Sequence, residues 1–407
     1  MVPSVGLDEF TEQARAFLAA HAQPRPAAGA FRWGHGSDYV GYFGDPNADE
    51  QADVAAARAW QRTRYENGFG WLTGPAQYGG RELSSLHDLA YDLVEAGYDV
   101  PDTGVLSVIG LGMVGPTIFT HGSEFLRERY LPAMYRGDLI ACQLFSEPGA
   151  GSDLAAVSTR AVRDGDEWVV NGQKVWTSSA QHAQIGELLC RTDPDAPKHR
   201  GITAFVLDMS LPGVTVRPLR QMTGGAEFNE VFLDDVRIPD SHRLGDVDGG
   251  WRVAVTTLMN ERGTVAADSG GAAMEAIAPS RLHALMEHVG RAGDPAARQE
   301  LAAIAVDVLA ARALTARATR RLQSGTAPGP EGSIAKLCFS ANVTRAATFA
   351  ADLLGHEITA DSGEWGTFSW NQLVLAAPAL RILGGTEEIM KNILAERVLG
   401  LPKEPAR

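Results

Sequence analysis

The stretch Asp164-Gly165-Asp166-Glu167-Trp168-Val169-Val170-Asn171-Gly172 decides how the chain is divided. Asp-Gly and Asn-Gly are dipeptides that favour tight hairpin turns, because Asn, Asp and Gly tolerate a left-handed backbone. The residues between them, Glu167–Val170, are too few for a helix, and Trp and Val favour a strand. The sequence therefore predicts a short strand with a turn at each end.

The residues around this stretch extend the β pattern over the middle of the chain. Short runs rich in β-branched residues are separated by Gly, Pro and Asp, at Thr203–Leu207, Val214–Val216 and Val231–Ile238. On both sides the apolar residues repeat at helical spacing instead. Helices, then strands, then helices predict three segregated domains. We place them at residues 1–138 (helical), 139–246 (β) and 247–407 (helical).

Composition limits the classes of function. The 407 residues carry a formal net charge of -14, so no basic field is available for a nucleic-acid backbone. The scattered cysteines and histidines indicate neither a disulfide framework nor a metal site. The N-terminus lacks the basic region of a secretory signal. The apolar stretch Val105–Phe119 falls short of the ~18 residues that a membrane span needs. A cytoplasmic protein without a membrane span is predicted.

One glycine motif is misleading. Gly110-Leu111-Gly112-Met113-Val114-Gly115 matches the Gly-x-Gly-x-x-Gly of dinucleotide-binding folds. That motif opens a βαβ unit whose second strand bears an acid about 20 residues later. Here Phe119–Tyr135 has the pattern of a polar helix, so close packing of glycine-lined helices is the better interpretation.

Two segments offer small residues, hydroxyls and an aromatic ring for a ligand. The first, Phe145–Asp153 (FSEPGAGSD), lets a backbone approach a ligand closely, and Ser146 and Ser152 supply hydroxyls. In the second, Asn171–Ser179 (NGQKVWTSS), strand alternation places Trp176 and Ser178 on one face, which suits a planar cofactor with a polar edge. An ordinary turn and a packed Trp would explain the same residues, and composition leaves both interpretations open.

Two further segments lie in the C-terminal third. Gly384-Gly385-Thr386-Glu387-Glu388 leads into a helix whose first N–H groups could bind a pyrophosphate, although a plain helix cap is commoner. On an earlier helix Glu261 interrupts an apolar ridge formed by Ala254, Leu258 and Val265. Burial there would raise the pKa of the carboxylate, as a general base for a weak carbon acid requires. A Glu261–Arg262 ion pair is the structural alternative.

Together these segments resemble the acyl-CoA dehydrogenase family over essentially the whole chain. The matching pieces occur in the family's order and spacing: SEPGAGSD (146–153), NGQKVWTSS (171–179), GITAFVLD (201–208), DDVRIP (234–239) and GGTEEIMKNILAERVLG (384–400). Each piece is modest alone, but the ordered set is specific.

The resemblance implies a mainly α fold with a middle β-barrel and a C-terminal four-helix bundle. It also implies FAD, an acyl-CoA substrate desaturated between its α and β carbons, and electron-transfer flavoprotein as the acceptor. By motif position the implied cofactor-binding residues are Phe145, Ser146, Gly151, Ser152, Trp176, Thr177, Ser178, Thr386 and Glu388. Ser152 and Arg262 would lie near the acyl-CoA.

The chain departs from the family's usual pattern at the catalytic base. Most members carry a Glu immediately before the Gly-Thr of the C-terminal motif, where this chain has Gly384. A minority place the base on the earlier helix, at the position that matches Glu261. Glu261 is therefore the predicted base, which removes the α-proton while a hydride goes to flavin N5. Glu387 is the next candidate.

A second departure concerns assembly. The family's Arg-x-x-Phe-Gly segment, which reaches the FAD of a neighbouring subunit, is replaced by residues 292–299, which contain Asp294-Pro295. A later Gln…Gly-Gly becomes Asp352…Gly355-His356. We therefore expect a homo- or hetero-oligomer with a homologous subunit. Sequences of this type resemble subunits of heteromeric bacterial enzymes that act on bulky CoA thioesters such as steroid side chains. Two alternatives remain: a non-catalytic subunit that completes a partner's FAD site, and a flavin oxidase or monooxygenase on the same fold.

Overall fold

The computed structural model describes residues 5–25, 31–45, 48–268, 276–323 and 332–403. Helices come first along the chain: α1 (Leu7–His21), α2 (Glu50–Glu66), α3 (Ser85–Glu95), α4 (Gly104–Leu106), α5 (Gly115–His121) and α6 (Glu124–Tyr135). A π-helical segment, Ser107–Val114, joins α4 to α5. Two short strands, β1 (Gln23–Pro24) and β2 (Tyr98–Asp99), pair with each other in antiparallel orientation.

An eight-stranded sheet follows in the middle of the chain. Its strands are β3 (Ala141–Leu144), β4 (Arg160–Asp164), β5 (Glu167–Ser178), β6 (Ile185–Arg191), β7 (Ile202–Asp208), β8 (Val214–Leu219), β9 (Phe228–Pro239) and β10 (Arg243–Leu244). The spatial order is β10-β7-β6-β4-β5-β9-β8, and β3 lies parallel to β6. The predicted β region between two helical regions is confirmed.

Helices return after the sheet. They are α7 (Gly250–Asp268), α8 (Pro279–His288), α9 (Pro295–Gln323), α10 (Gly332–Leu354), α11 (Trp370–Leu380) and α12 (Glu387–Ile393), with a π-helical end at Leu394–Val398. Their apolar faces form one core, which includes Ile304, Val343 and Trp370. A second core lies between the sheet and the N-terminal helices and includes Ile118, Ile185 and Val253.

The two turns predicted around Glu167–Val170 have different outcomes. Asp164-Gly165 does form the turn between β4 and β5, with Gly165 at φ +67°. The turn predicted at Asn171-Gly172 is wrong, because β5 runs through it to Ser178 and pairs with β9 on both sides of a register shift. The Asn171 side-chain amide donates to Asp235 Oδ1 at 2.9 Å.

The glycine motif at residues 110–115 lies in helix, as close packing requires. A Cβ on Gly115 would stand 3.2 Å from both the Gly110 carbonyl oxygen and the Tyr135 hydroxyl. The helical stretch Gly104–His121 also has the length and composition to cross a membrane, with a mean hydropathy of 1.4 over 18 residues. A single such stretch is weak support for a span, since core helices pass the same test, and Met113, Val114 and Ile118 are buried here.

The chain forms two compact units. The first comprises the described residues of 1–27, 48–220 and 226–261, and the second those of 28–47, 221–225 and 262–407. The predicted N-terminal domain, 1–138, therefore contains a segment that packs with the C-terminal helices instead. In that segment Trp33 stacks on His288 with ring centroids 4.7 Å apart, and the Asp38 carboxylate accepts from Gly366 N at 3.0 Å.

Candidate active site

A buried ion pair anchors the loop that follows β3. Lys174 Nζ lies 2.8 Å from Glu147 Oε1, with side chains 0% and 4% exposed. Glu147 also accepts from Ser158 N and Oγ at 2.7 Å and from Thr159 N at 2.9 Å. Burial alone would raise the pKa of Glu147, but Lys174 and these donors outweigh it and lower the pKa to about 2. The carboxylate is therefore ionised and holds the loop to β5.

The loop itself is a tight turn against β5. The backbones of Glu147 and Ala150 exchange two hydrogen bonds of 3.0 Å, which leaves Pro148-Gly149 at the corner. The Ser146 carbonyl accepts from Val175 N at 2.9 Å, and the Phe145 carbonyl accepts from Lys174 Nζ at 3.1 Å. Ser146 thus lies beside the strand residues that lead into Trp176.

Trp176 occupies an unusual backbone conformation. The register of β5 against β9 shifts between Lys174 and Thr177, and within that shift Trp176 has φ +60°. A bulky residue rarely adopts this conformation, and such strain concentrates at functional sites. The indole is 62% exposed, and within its own unit it has an edge contact with Phe228 at 6.1 Å. The bulge therefore presents a flat aromatic surface outward.

The other predicted residues of the first unit differ in exposure. Ser146 and Ser178 are half-buried, Gly151 and Ser152 are exposed, and Phe145 is buried. Thr177 is also buried, and its hydroxyl has no hydrogen-bond partner in the described part of the chain. A half-buried pair of hydroxyls beside an exposed indole fits a planar ligand with a polar edge, such as a flavin ring. The Thr177 side chain is buried, so its hydroxyl is less accessible to such a ligand than those of Ser146 and Ser178.

Glu261 is half-buried on α7, and it is the last residue of the first unit. Ala254 and Leu258 precede Glu261 on the same face of α7, and both pack into the core between the sheet and the N-terminal helices. This agrees with the apolar ridge expected from sequence. Arg262 and Val265 are on the same helix, and their side chains lie outside the described part of the structure.

The C-terminal motif forms a capped helix start. Thr386 caps α12 by accepting from Ile389 N at 3.3 Å. Glu387 accepts two 3.0 Å hydrogen bonds from the Arg381 guanidinium and one of 3.2 Å from Ser340. The Arg381 pairing lowers the pKa of Glu387. Glu388 is exposed, and hydrogen bonds from its own backbone N–H and from Thr386 lower its pKa.

A groove of about 580 Å³ in the second unit brings the C-terminal motif together with α10 and α11. Its charged lining is Asp352, Arg381, Glu387 and Glu388. Three carboxylates thus face one arginine, and that arginine is already paired with Glu387. Asp352 lies in the same groove as Thr386 and Glu388.

Sequence reasoning missed two buried carboxylates. Glu147 and its partner Lys174 lie inside the quoted motifs, but neither was given a role. Glu187 is fully buried in β6, where burial raises its pKa to about 8. An acid within the otherwise apolar run Ile185–Cys190 was the available signal.

Sequence profiles of the acyl-CoA dehydrogenase N-terminal, middle and C-terminal domains match residues 45–138, 142–236 and 248–399. The acyl-CoA dehydrogenase IpdE1 of Mycobacterium tuberculosis is 37% identical over 399 residues, which cover 98% of both chains. Two solved structures are also similar, each over at least 98% of both chains. They are the Tcur3481-Tcur3483 steroid ACAD (27% identity, TM-score 0.75) and the ChsE4-ChsE5 complex from Mycobacterium tuberculosis (26%, 0.69).

These similarities extend over all three regions of the chain and include a relative of the same length. The order of helices and strands and the motif positions agree with them. This protein belongs to the acyl-CoA dehydrogenase family and is an FAD-dependent oxidoreductase of acyl-CoA thioesters.

Proposed function

We propose that this chain removes the α-proton of its acyl-CoA substrate with Glu261. FAD, when bound, supplies the acceptor for the β-hydrogen, which leaves as a hydride. A carboxylate positioned within reach of the substrate can act as the general base for this step. The observation that carries the proposal is the half-buried position of Glu261 on α7, one turn beyond Leu258.

The alternative base positions support the same choice. Gly384 has φ +63° and Gly385 has φ +91°, a left-handed conformation in which a Glu would be strained. Glu387 is held by Arg381 on both carboxylate oxygens, and its lowered pKa makes it a weaker base.

For the cofactor, we assign Phe145, Ser146, Trp176 and Ser178 to the flavin ring, with the two hydroxyls toward its polar edge. Gly151 and Ser152 would lie near the cofactor and the CoA arm, and Arg262 near the acyl group. Thr177 would contribute through its backbone, since its side chain is buried. Thr386 and Glu388 would contact the ribose and pyrophosphate region. Because a carboxylate only accepts hydrogen bonds, Glu388 suits a ribose hydroxyl better than a phosphate.

The family's assembly gives the chain a homologous partner, and we propose that the working enzyme is heteromeric. Where other members offer an arginine to a neighbour's FAD, Asp294 caps α9 by accepting from Ala296 N at 2.9 Å. Arg291 cannot replace that arginine freely, since its Nε donates to Asp294 at 3.1 Å and its Nη1 to the Asp352 carbonyl at 3.3 Å.

The substrate class that we propose is a bulky CoA thioester of the steroid side-chain type. One similar solved structure is named as a steroid ACAD, and another as a complex of two named proteins. We further propose that electron-transfer flavoprotein accepts the electrons of the reduced flavin and that the enzyme acts in the cytoplasm.

The substitution Glu261→Gln tests the base. Gln keeps the shape but has no basic carboxylate, so reduction of bound flavin by substrate should fall by at least about 1000-fold, within the range of catalytic base removal. FAD content and the Kd for acyl-CoA should stay unchanged. Stopped-flow absorbance and equilibrium titration measure the two. Glu387→Gln is the matched control and should retain flavin reduction. If Glu387→Gln lost flavin reduction and Glu261→Gln kept it, Glu387 would be the base. Unchanged flavin reduction in both variants would show that neither residue is the base.

A further inference from the structure

Glu187 is a fully buried acid in an apolar core. It lies on β6 between Ile185 and Leu189, which both belong to the core shared by the sheet and the N-terminal helices. Its Oε1 accepts from Thr257 Oγ1 on α7 at 2.7 Å. The Thr257 hydroxyl is also 2.9 Å from Thr117 Oγ1 on α5. The second carboxyl oxygen, Oε2, has no hydrogen-bond partner among the described residues.

Stability alone does not explain an acid at this position. Burial raises the pKa of Glu187 to about 8, and the hydrogen bond from Thr257 opposes that rise only in part. A polar atom that is buried without a partner destabilises the folded state. A Leu of similar size would suit the apolar surroundings better. Residues that are unfavourable for folding are often retained because a functional site needs them.

The hydrogen bond that Thr257 donates to Glu187 fixes one face of α7. Thr257 precedes Glu261 by four residues, which places the two on the same face about 6 Å apart along the helix axis. The adjacent residue, Thr256, is held by His121 Nε2 at 2.8 Å. Consecutive residues of α7 are therefore tied to β6 and to α5, one turn before Glu261. Rotation of the helix about its axis would break both hydrogen bonds and displace Glu261.

We propose that Glu187 is a positioning residue, which holds α7 through Thr257 so that Glu261 is correctly placed for the α-carbon of the substrate. The inference rests on Glu261 as the base. It assigns to Glu187 no contact with substrate or cofactor.

The test compares Glu187→Leu, Glu187→Gln and Thr257→Val. The readout is α-proton exchange into D2O of an acyl-CoA with sulfur in place of the β-carbon, which has no β-hydrogen to transfer. A displacement of about 1 Å can cost up to about 100-fold, so Glu187→Leu and Thr257→Val should slow exchange by roughly 10- to 100-fold, with analogue Kd within about twofold. Glu187→Gln should be near wild type, because its amide oxygen accepts the same hydrogen bond.

Two further measurements separate positioning from loss of fold. Thermal unfolding should show Glu187→Leu at least as stable as wild type. Amide hydrogen exchange should quicken in α7 of Glu187→Leu and Thr257→Val. Thr117→Val is the matched control, since it removes a neighbouring buried hydroxyl and leaves the Glu187–Thr257 bond intact. It should exchange the α-proton normally.

The outcomes distinguish the two proposals. Full α-proton exchange in Glu261→Gln would overturn the proposed base and this inference with it. A second outcome would overturn only the inference about Glu187. In that case Glu261→Gln loses α-proton exchange, but Glu187→Leu exchanges the α-proton within about twofold of the wild-type rate. If Glu187→Leu does not fold, the other two variants decide: Thr257→Val must lose exchange and Glu187→Gln must keep it.

Discussion

Lys174 and Glu147 illustrate how single residues prepare the site. Their ion pair is buried, and the Glu147 carboxylate also accepts from Ser158 and Thr159, which follow the loop that contains Glu147. Lys174 reaches the Phe145 carbonyl as well, so one ammonium group ties β5 to both the start and the middle of the loop. A buried pair of this kind gives geometry more reliably than net stability.

Removing either residue of the Lys174–Glu147 ion pair should destabilise the folded protein. Lys174→Met leaves Glu147 buried without its cation, which should lower the free energy of unfolding by about 3–5 kcal/mol. Lys198→Met is the matched control, because Lys198 pairs with Asp153 at a site where both side chains are more than half exposed. It should cost at most about 1 kcal/mol. Urea denaturation measures both, and equal losses would contradict the role given to the buried pair.

At the scale of the element, β5 shows what local sequence can predict. The strand and its first turn follow from Val, Trp and Asp164-Gly165, because each depends on neighbouring residues alone. The failure at Asn171-Gly172 has a non-local cause. Residues of β9 lie about sixty positions later and extend the pairing to Ser178, so no local window contains the deciding partner. The bulge at Trp176 was unpredictable for the same reason.

Glycine is required at position 172 because the Thr159 segment passes close to β5 there, and not because the chain turns. A Cβ there would lie 2.5 Å from Thr159 Oγ1 and 2.8 Å from Thr159 Cα on the neighbouring segment. Gly172→Ala should therefore lower the free energy of unfolding by about 1–3 kcal/mol, as overpacking does. Gly149→Ala is the control, since a Cβ at that position has nothing within 4 Å. Denaturation curves that coincide for the two variants would show that β5 accommodates the methyl group.

At the scale of the whole molecule, the ordered motifs were enough to predict the fold class and the cofactor. They could not predict which unit each segment joins. Trp33 and Asp38 precede the β region by more than a hundred residues, yet they pack on α8 and the loop before α11. Likewise, the sequence indicated Glu261 but not Glu187, because their connection passes through Thr257, a hydroxyl without any distinctive motif.

A heteromeric assembly determines how many flavins each pair of chains can hold. This chain lacks the Arg-x-x-Phe-Gly segment that would contact a neighbour's FAD. A heterodimer should therefore hold one FAD, which is bound by the loop Phe145–Asp153 and Trp176 of this chain and contacted by the corresponding segment of the partner. Arg291 donates to Asp294, so it can reach a neighbour's diphosphate only if that ion pair is broken. Co-expression with a homologous subunit, followed by flavin absorbance per chain, should give about one FAD per two chains, with the chain alone weakly loaded. A stable homomer with one FAD per chain and full turnover would reject the heteromer, because residues 292–299 of each copy would then have to contact the neighbour's FAD in place of the family's Arg-x-x-Phe-Gly segment.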